Sequence, residues 1–203
     1  MALRIIFLWL CFTGSAFANP TLLVLGDSLS AGYGLPAGQS WVDQLDGQLT
    51  TVSGDQLVVL NASISGDTSG GGLSRLPGLL ARHQPDWVLI ALGANDGLRG
   101  LPLDGLATNL TDMIGLVRAE GKTPLYAGIE LPRNYGGPYT RAFRATQDQV
   151  AEKTAVPYLP FLLEPVALDI TLFQDDGLHP TAEAQPLIAR HVVNFLQSAG
   201  VVK

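Results

Sequence analysis

Thr21-Leu-Leu-Val-Leu25, running directly into Gly26-Asp27-Ser28-Leu29-Ser30, is the stretch that decides how this chain folds. An unbroken apolar run with no polar alternate describes a strand covered on both faces. The abrupt change to glycine, a carboxylate and hydroxyls marks where that strand leaves the core. The same succession recurs. Residues 57–60, 87–92, 124–127 and 156–159 are further apolar runs of strand length. Between them lie stretches with helical spacing: 41–49, 72–83, 103–120 with Gly121 as its stop, and 139–154. The clearest comes last, where Leu187, Ile188, Val192, Phe195 and Leu196 share a face. Thr181 is read as its N-cap and Glu183 as a first-turn acid. Strand–helix alternation to the end predicts a doubly wound α/β sheet with helices on both faces and right-handed crossovers.

Composition agrees with one packed domain. The chain has 203 residues, 47% of them hydrophobic and 15% charged, which excludes a disordered polypeptide. The net charge is −6, so the basic surplus of a nucleic-acid binder is missing and no nucleic-acid partner is expected. The longest apolar run is too short to cross a membrane.

Residues 1–18 read as a secretory signal peptide. Arg4 supplies the positive start, residues 5–12 the apolar stretch, and Ala16-Phe17-Ala18 the small residues at a cleavage site. This predicts export, a periplasmic location and a working domain of residues 19–203. Cys11 is the only cysteine and would leave with the signal, so a thiol nucleophile and a disulfide are excluded from the exported chain.

Open α/β sheets bind ligands beyond the carboxyl ends of their strands. Four polar segments fall there: Gly26 to Ser30, Asn61 to Asp67, Gly93-Ala-Asn95-Asp96-Gly97, and Asp175-Asp176-Gly-Leu178-His179-Pro180. A serine hydroxyl needs a base to become a nucleophile, and histidine suits that role near neutral pH. Of His83, His179 and His191, only His179 stands in a rim loop beside a carboxylate. Ser28 is then the nucleophile, His179 the base, and Asp176 the group that orients it. An acyl-transfer intermediate also needs oxyanion donors. The N–H of Ser28, the bare backbone N–H of Gly66 and the amide of Asn95 are the candidates. Taken singly, each motif has a plain reading: Gly-Asp-Ser as a turn, Asp-x-x-His as a helix cap, Asn-Asp-Gly as a tight turn.

Together, Gly26-Asp27-Ser28-Leu29-Ser30, Gly66, Gly93-x-Asn95-Asp96 and Asp176-x-x-His179 resemble the four blocks of the SGNH (GDSL) hydrolase family, in order and across nearly the whole exported chain. The longer stretches 26–33, 61–68, 95–100 and 174–180 are similar to its exported thioesterase and lysophospholipase esterases of Gram-negative bacteria. The resemblance implies a three-layer α/β/α, flavodoxin-like sandwich with a five-stranded parallel sheet. It implies the same roles for Ser28, His179, Asp176, Gly66 and Asn95. It implies hydrolysis of fatty acyl esters and thioesters, lysophospholipids included, by a monomer using no metal or organic cofactor. Glu130 is a departure, standing where a basic residue can occur, and it bears on the preference for anionic head groups.

For the acyl chain, apolar residues flanking the motifs suggest Leu98, Leu101, Leu178 and Tyr135. Arg99, between Gly97 and Gly100, reads as a solvated charge, with a phosphate head group as the alternative. Competing readings are a carbohydrate O-deacetylase or aryl esterase on the same site, and a periplasmic small-molecule binder on a bare fold. Ser69-Gly-Gly-Gly72 lacks the rest of a phosphate loop, and Gly32-x-Gly34-x-x-x-Gly38 is mis-spaced for a dinucleotide. Asp175, Asp176 and His179 make a thin zinc set.

Overall fold

A computed structural model describes residues 19–52 and 57–203; the signal reading of residues 1–18 lies outside them. Five parallel strands form one sheet: β1 (Thr21–Gly26), β2 (Val58–Asn61), β3 (Trp87–Ala91), β4 (Thr123–Ala127) and β5 (Tyr158–Leu159), in the order β2-β1-β3-β4-β5. The predicted doubly wound sheet is therefore present. Leu22 to Leu25 of β1 and Val88 to Ile90 of β3 are fully buried, because these two strands have neighbours on both sides and helices on both faces. Each such side chain contributes about 1.5–3 kcal/mol of burial.

The edges differ from the sequence reading. β2 was expected to be covered on both faces, but it is an edge strand, shifted by one residue, and Val58 is 42% exposed. β5, the other edge, keeps only two of its four expected residues.

Helices α2 (Trp41–Val52) and α7 (Gln185–Ser198) pack together, and α5 (Leu103–Ala119) packs between α3 (Ser69–His83) and α6 (Gly137–Thr154). α3 starts three residues before the expected point, because Thr68 accepts the N–H of Gly71 at 3.2 Å and caps it there. The last helix starts later than Thr181. A tighter 3-10 turn, Ala182–Ala184, follows Thr181, whose hydroxyl makes no cap bond. α7 then opens with Pro186 in its first turn, a position where the missing N–H costs nothing. Two one-turn helices escaped the sequence reading: α1 (Ser28–Ala31) and α4 (Ala94–Leu98). Four or five residues cannot display a helical period.

β1 sends its chain to β2 on one side and has β3 on the other, so the strand order reverses between β1 and β3. That reversal opens a crevice beyond their carboxyl ends. α1 follows β1 there, and α4 follows β3.

Candidate active site

β1 ends on Gly26 because nothing larger fits. A Cβ there would lie 2.7 Å from Ser30 Cβ and 2.9 Å from Ser63 Oγ. Asp27 follows, buried, and its carboxylate accepts the Leu29 N–H at 3.1 Å, capping α1. Ser28 is thereby held as the first residue of a rigid turn, half-buried, at the crevice.

His179 comes from a closed loop. The Gln174 N–H donates to the His179 carbonyl at 2.8 Å, and Phe173 and Pro180 form an antiparallel bridge. Gln174 Nε2 also donates to the Tyr33 carbonyl at 2.8 Å, tying this loop to the turn after α1. The Tyr33 ring lies against the imidazole, with centroids 4.4 Å apart. Within the loop, Asp176 Oδ1 accepts the backbone N–H of Leu178 at 2.8 Å and of His179 at 3.0 Å. Its other oxygen, Oδ2, lies 2.6 Å from His179 Nδ1, and His179 Nε2 lies 2.8 Å from Ser28 Oγ.

These contacts assign the tautomer. An ionised carboxylate only accepts, so Nδ1 carries the proton and Nε2 is free to accept from the serine hydroxyl. Asp176 is ionised well into acid. Burial pushes its pKa up, but the two backbone N–H groups and the imidazole outweigh it and bring the value down to about 2.

Three N–H groups are the candidate oxyanion donors. Among the described residues, neither the backbone N–H of Ser28 nor that of Gly66 has an acceptor. Asn95, in the first turn of α4, gives one amide N–H to Asp27 Oδ2 at 3.2 Å and keeps the second. Asp27 therefore fixes which end of the Asn95 amide is the nitrogen, and so presents a donor and not an acceptor. Gly66 occupies φ +79°, a conformation that side chains disfavour. Arg99, exposed as the sequence reading expected, is not simply solvated, because its Nη2 donates to the Gly66 carbonyl at 2.7 Å.

Asp27 is held at a cost. Burial pushes its pKa up to about 6, against the lowering effect of the Leu29 and Asn95 hydrogen bonds. The folded value lies above the ordinary 3.8, so the native state binds more protons than the unfolded chain between these values. Stability from this group is complete below pH 3.8 and is lost as pH rises through 6. The penalty above that is about 3 kcal/mol. Asp27→Asn is expected to raise Tm at pH 8, with the gain vanishing below pH 4, while slowing catalysis through loss of the Asn95 restraint. Thermal denaturation of both proteins at the two pH values checks this, and a gain that does not change with pH contradicts it.

The triad line opens into a cleft of about 570 Å³. Ser28, Asn95 and His179 lie on its wall, together with Leu29, Ile129, Leu131, Phe161, Leu163, Leu168, Ile170 and Phe173. Of the acyl-chain residues expected from sequence, Leu98 and Leu178 line it. Leu101 and Tyr135 are not among its lining residues; both are 39% exposed, and Tyr135 Oη donates to the Leu98 carbonyl at 3.2 Å. The walls that sequence reasoning missed are segment 161–173 and, apart from Glu130, segment 129–133. The signal was there: apolar residues such as Leu168 and Ile170 follow the last strand, at the same rim as the motifs. Glu130 also lines the cleft but is ion-paired to Arg144, which offsets its charge. Among the described residues no three metal-ligating side chains converge, and Asp176 and His179 are engaged with each other.

A doubly wound sheet carrying serine, imidazole and carboxylate in line at its switch point, with free N–H donors from the neighbouring strand ends, is the arrangement of an SGNH hydrolase. The chain belongs to the GDSL-like lipase/acylhydrolase family, whose characteristic sequence matches residues 24–186. It is 47% identical over 189 residues to the arylesterase of Vibrio mimicus, covering 93% of this chain and 94% of that one. It is 46% identical over 185 residues to thioesterase 1/protease 1/lysophospholipase L1 of Escherichia coli (strain K12), covering 91% and 87%. Among solved structures, TesA matches with a TM-score of 0.84 at 47% identity, over 88% of this chain and 98% of that one. The psychrotrophic esterase EstA from Pseudoalteromonas sp., inhibited by monoethylphosphonate, matches with a TM-score of 0.84 at 40% identity, over 89% and 98%.

Proposed function

We propose that this protein hydrolyses carboxylic esters and thioesters of fatty acids through an acyl-enzyme on Ser28. The observation that carries the reading is the unbroken line Ser28 Oγ–His179 Nε2 and His179 Nδ1–Asp176 Oδ2, opening into an apolar cleft. As Ser28 Oγ attacks the acyl carbonyl, its proton passes to His179 Nε2. The carbonyl oxygen becomes an oxyanion, facing the N–H groups of Ser28, Gly66 and Asn95. Asp176 balances the imidazolium. His179 then gives its proton to the leaving alkoxide or thiolate, and a water activated by the same imidazole releases the acid.

The names of the relatives, arylesterase and thioesterase/lysophospholipase, agree with this chemistry. Lysophospholipids and other acyl esters are the natural substrates under this reading, because residues 1–18 carry an export signature and cytosolic thioesters would be out of reach. The protein acts in the periplasm, and one chain supplies Ser28, His179 and Asp176.

Cleft size sets the acyl preference. Phe161→Ala with Phe173→Ala, both on the cleft wall, should lower kcat/KM for dodecanoyl and longer p-nitrophenyl esters by about tenfold or more while leaving acetyl esters little changed. Equal losses across chain lengths would remove the cleft from the account. A wild-type enzyme that cleaves acetyl esters only would make it a short-chain deacetylase.

A further inference from the structure

We propose that Arg99 is a positioning residue that locks the two oxyanion loops together, holding the Gly66 N–H in register with the Asn95 amide; the proposal rests on the serine-hydrolase reading above. Gly66 and Asn95 belong to different segments. One lies between β2 and α3, the other in α4 after β3. Their relative placement is not settled by either segment alone.

Arg99 is joined to Asn95 through the backbone, because its N–H donates to the Asn95 carbonyl at 3.1 Å and closes α4. That end of α4 has two further ties. Tyr139 Oη donates to the Gly97 carbonyl at 3.0 Å, and Tyr135 Oη to the Leu98 carbonyl at 3.2 Å. From there the guanidinium reaches 33 residues back in sequence to the Gly66 carbonyl, at 2.7 Å.

Gly66 needs such a restraint. It has no Cβ, its φ is +79°, and its N–H has no acceptor among the described residues. A glycine free to rotate would point that N–H in many directions. Fixing the carbonyl restrains ψ of Gly66, and the turn closed by the Asp67 N–H on the Ile64 carbonyl at 3.1 Å holds the preceding peptide, which carries the N–H. The neighbouring Asp67 is already paired with Arg75 at 2.9 Å, so the loop is clamped on its far side too.

The choice of acceptor argues against a purely electrostatic role. Among the described residues Arg99 has no ion-pair partner, and this exposed side chain gives up rotamer freedom to bond one neutral carbonyl. A surface hydrogen bond of that kind adds little to stability. Its value lies in holding a donor where charge develops.

The test compares wild type, Arg99→Ala and Arg99→Lys on an uncharged p-nitrophenyl butyrate, so that no head group can attract the guanidinium. Arg99→Ala is expected to lower kcat about tenfold or more, with KM, Tm and inhibition by the product acid little changed. The rate of Ser28 phosphonylation by a fluorophosphonate should fall in parallel, since that reaction uses the same donors. Arg99→Lys, which keeps one N–H within reach, should recover part of the loss. A raised KM with unchanged kcat would make Arg99 a substrate contact and overturn the proposal. So would a kcat within about twofold of wild type, or a loss that follows a fall in Tm and is not relieved by lysine. A wild-type protein that neither turns over the ester nor takes up the phosphonate defeats the serine-hydrolase reading itself, a different result from any of these.

Discussion

Ser28→Ala is expected to lower kcat by about 10⁵-fold or more, leaving Tm and product-acid affinity unchanged. The serine hydroxyl touches His179 Nε2 and is half-buried at the rim, so its removal opens no cavity in the core. What it removes is the hydroxyl proposed to take the acyl group. His179→Ala should cost about as much, because an unactivated serine is a poor nucleophile. The double variant should be no slower than either single one, since the two residues act as one unit. Steady-state rates of the three variants on one ester decide this. Losses that multiply would mean that Ser28 and His179 act separately.

Asp176→Asn should lower kcat by about 10⁴-fold, a loss larger than its partly exposed position suggests. The reason lies in how its loop holds the carboxylate. Oδ1 accepts from the N–H groups of Leu178 and His179, so an asparagine must keep its oxygen there. Its NH₂ is then turned toward His179 Nδ1. That nitrogen would become the acceptor, the proton would move to Nε2, and Nε2 could no longer accept from Ser28. The same contacts carry a stability effect of definite sign. The folded pKa of Asp176 lies below the ordinary 3.8, so its contribution is present above that value and lost as pH falls through about 2. The Tm difference between Asp176→Asn and wild type should therefore shrink as pH falls toward 2. Retention of more than a tenth of wild-type kcat by the variant would contradict the tautomer argument.

The central sheet was legible because β1 and β3 are buried on both faces and read as plain apolar runs. The edges were not, since β2 looks equally apolar but lacks a neighbour on one side. Ser28, His179 and Asp176, which the structure brings into one hydrogen-bonded line, could be picked as candidates because histidine is scarce and His179 alone stands beside a carboxylate at the rim. Their alignment could not, as it depends on a 151-residue separation closed by Gln174 and by packing of the Tyr33 ring. The cleft was half legible. Leu98 and Leu178 flank motifs and do line it, whereas Phe161, Leu168 and Phe173 come from an irregular segment with no periodicity to place them. Leu101, close after the Asn95 motif, and Tyr135 are not among its lining residues. Arg99 carried no signal beyond its charge, because its partner is a backbone carbonyl.

We propose that His179 and Asp176 make Ser28 an activated nucleophile. Intact-mass analysis after incubation with a fluorophosphonate tests it most directly, using wild type and Ser28→Ala. One adduct is expected on the wild-type protein, located at Ser28 by peptide mapping, and none on the variant. A folded wild-type protein that takes up no phosphonate, or takes it up equally with Ser28 removed, would contradict it.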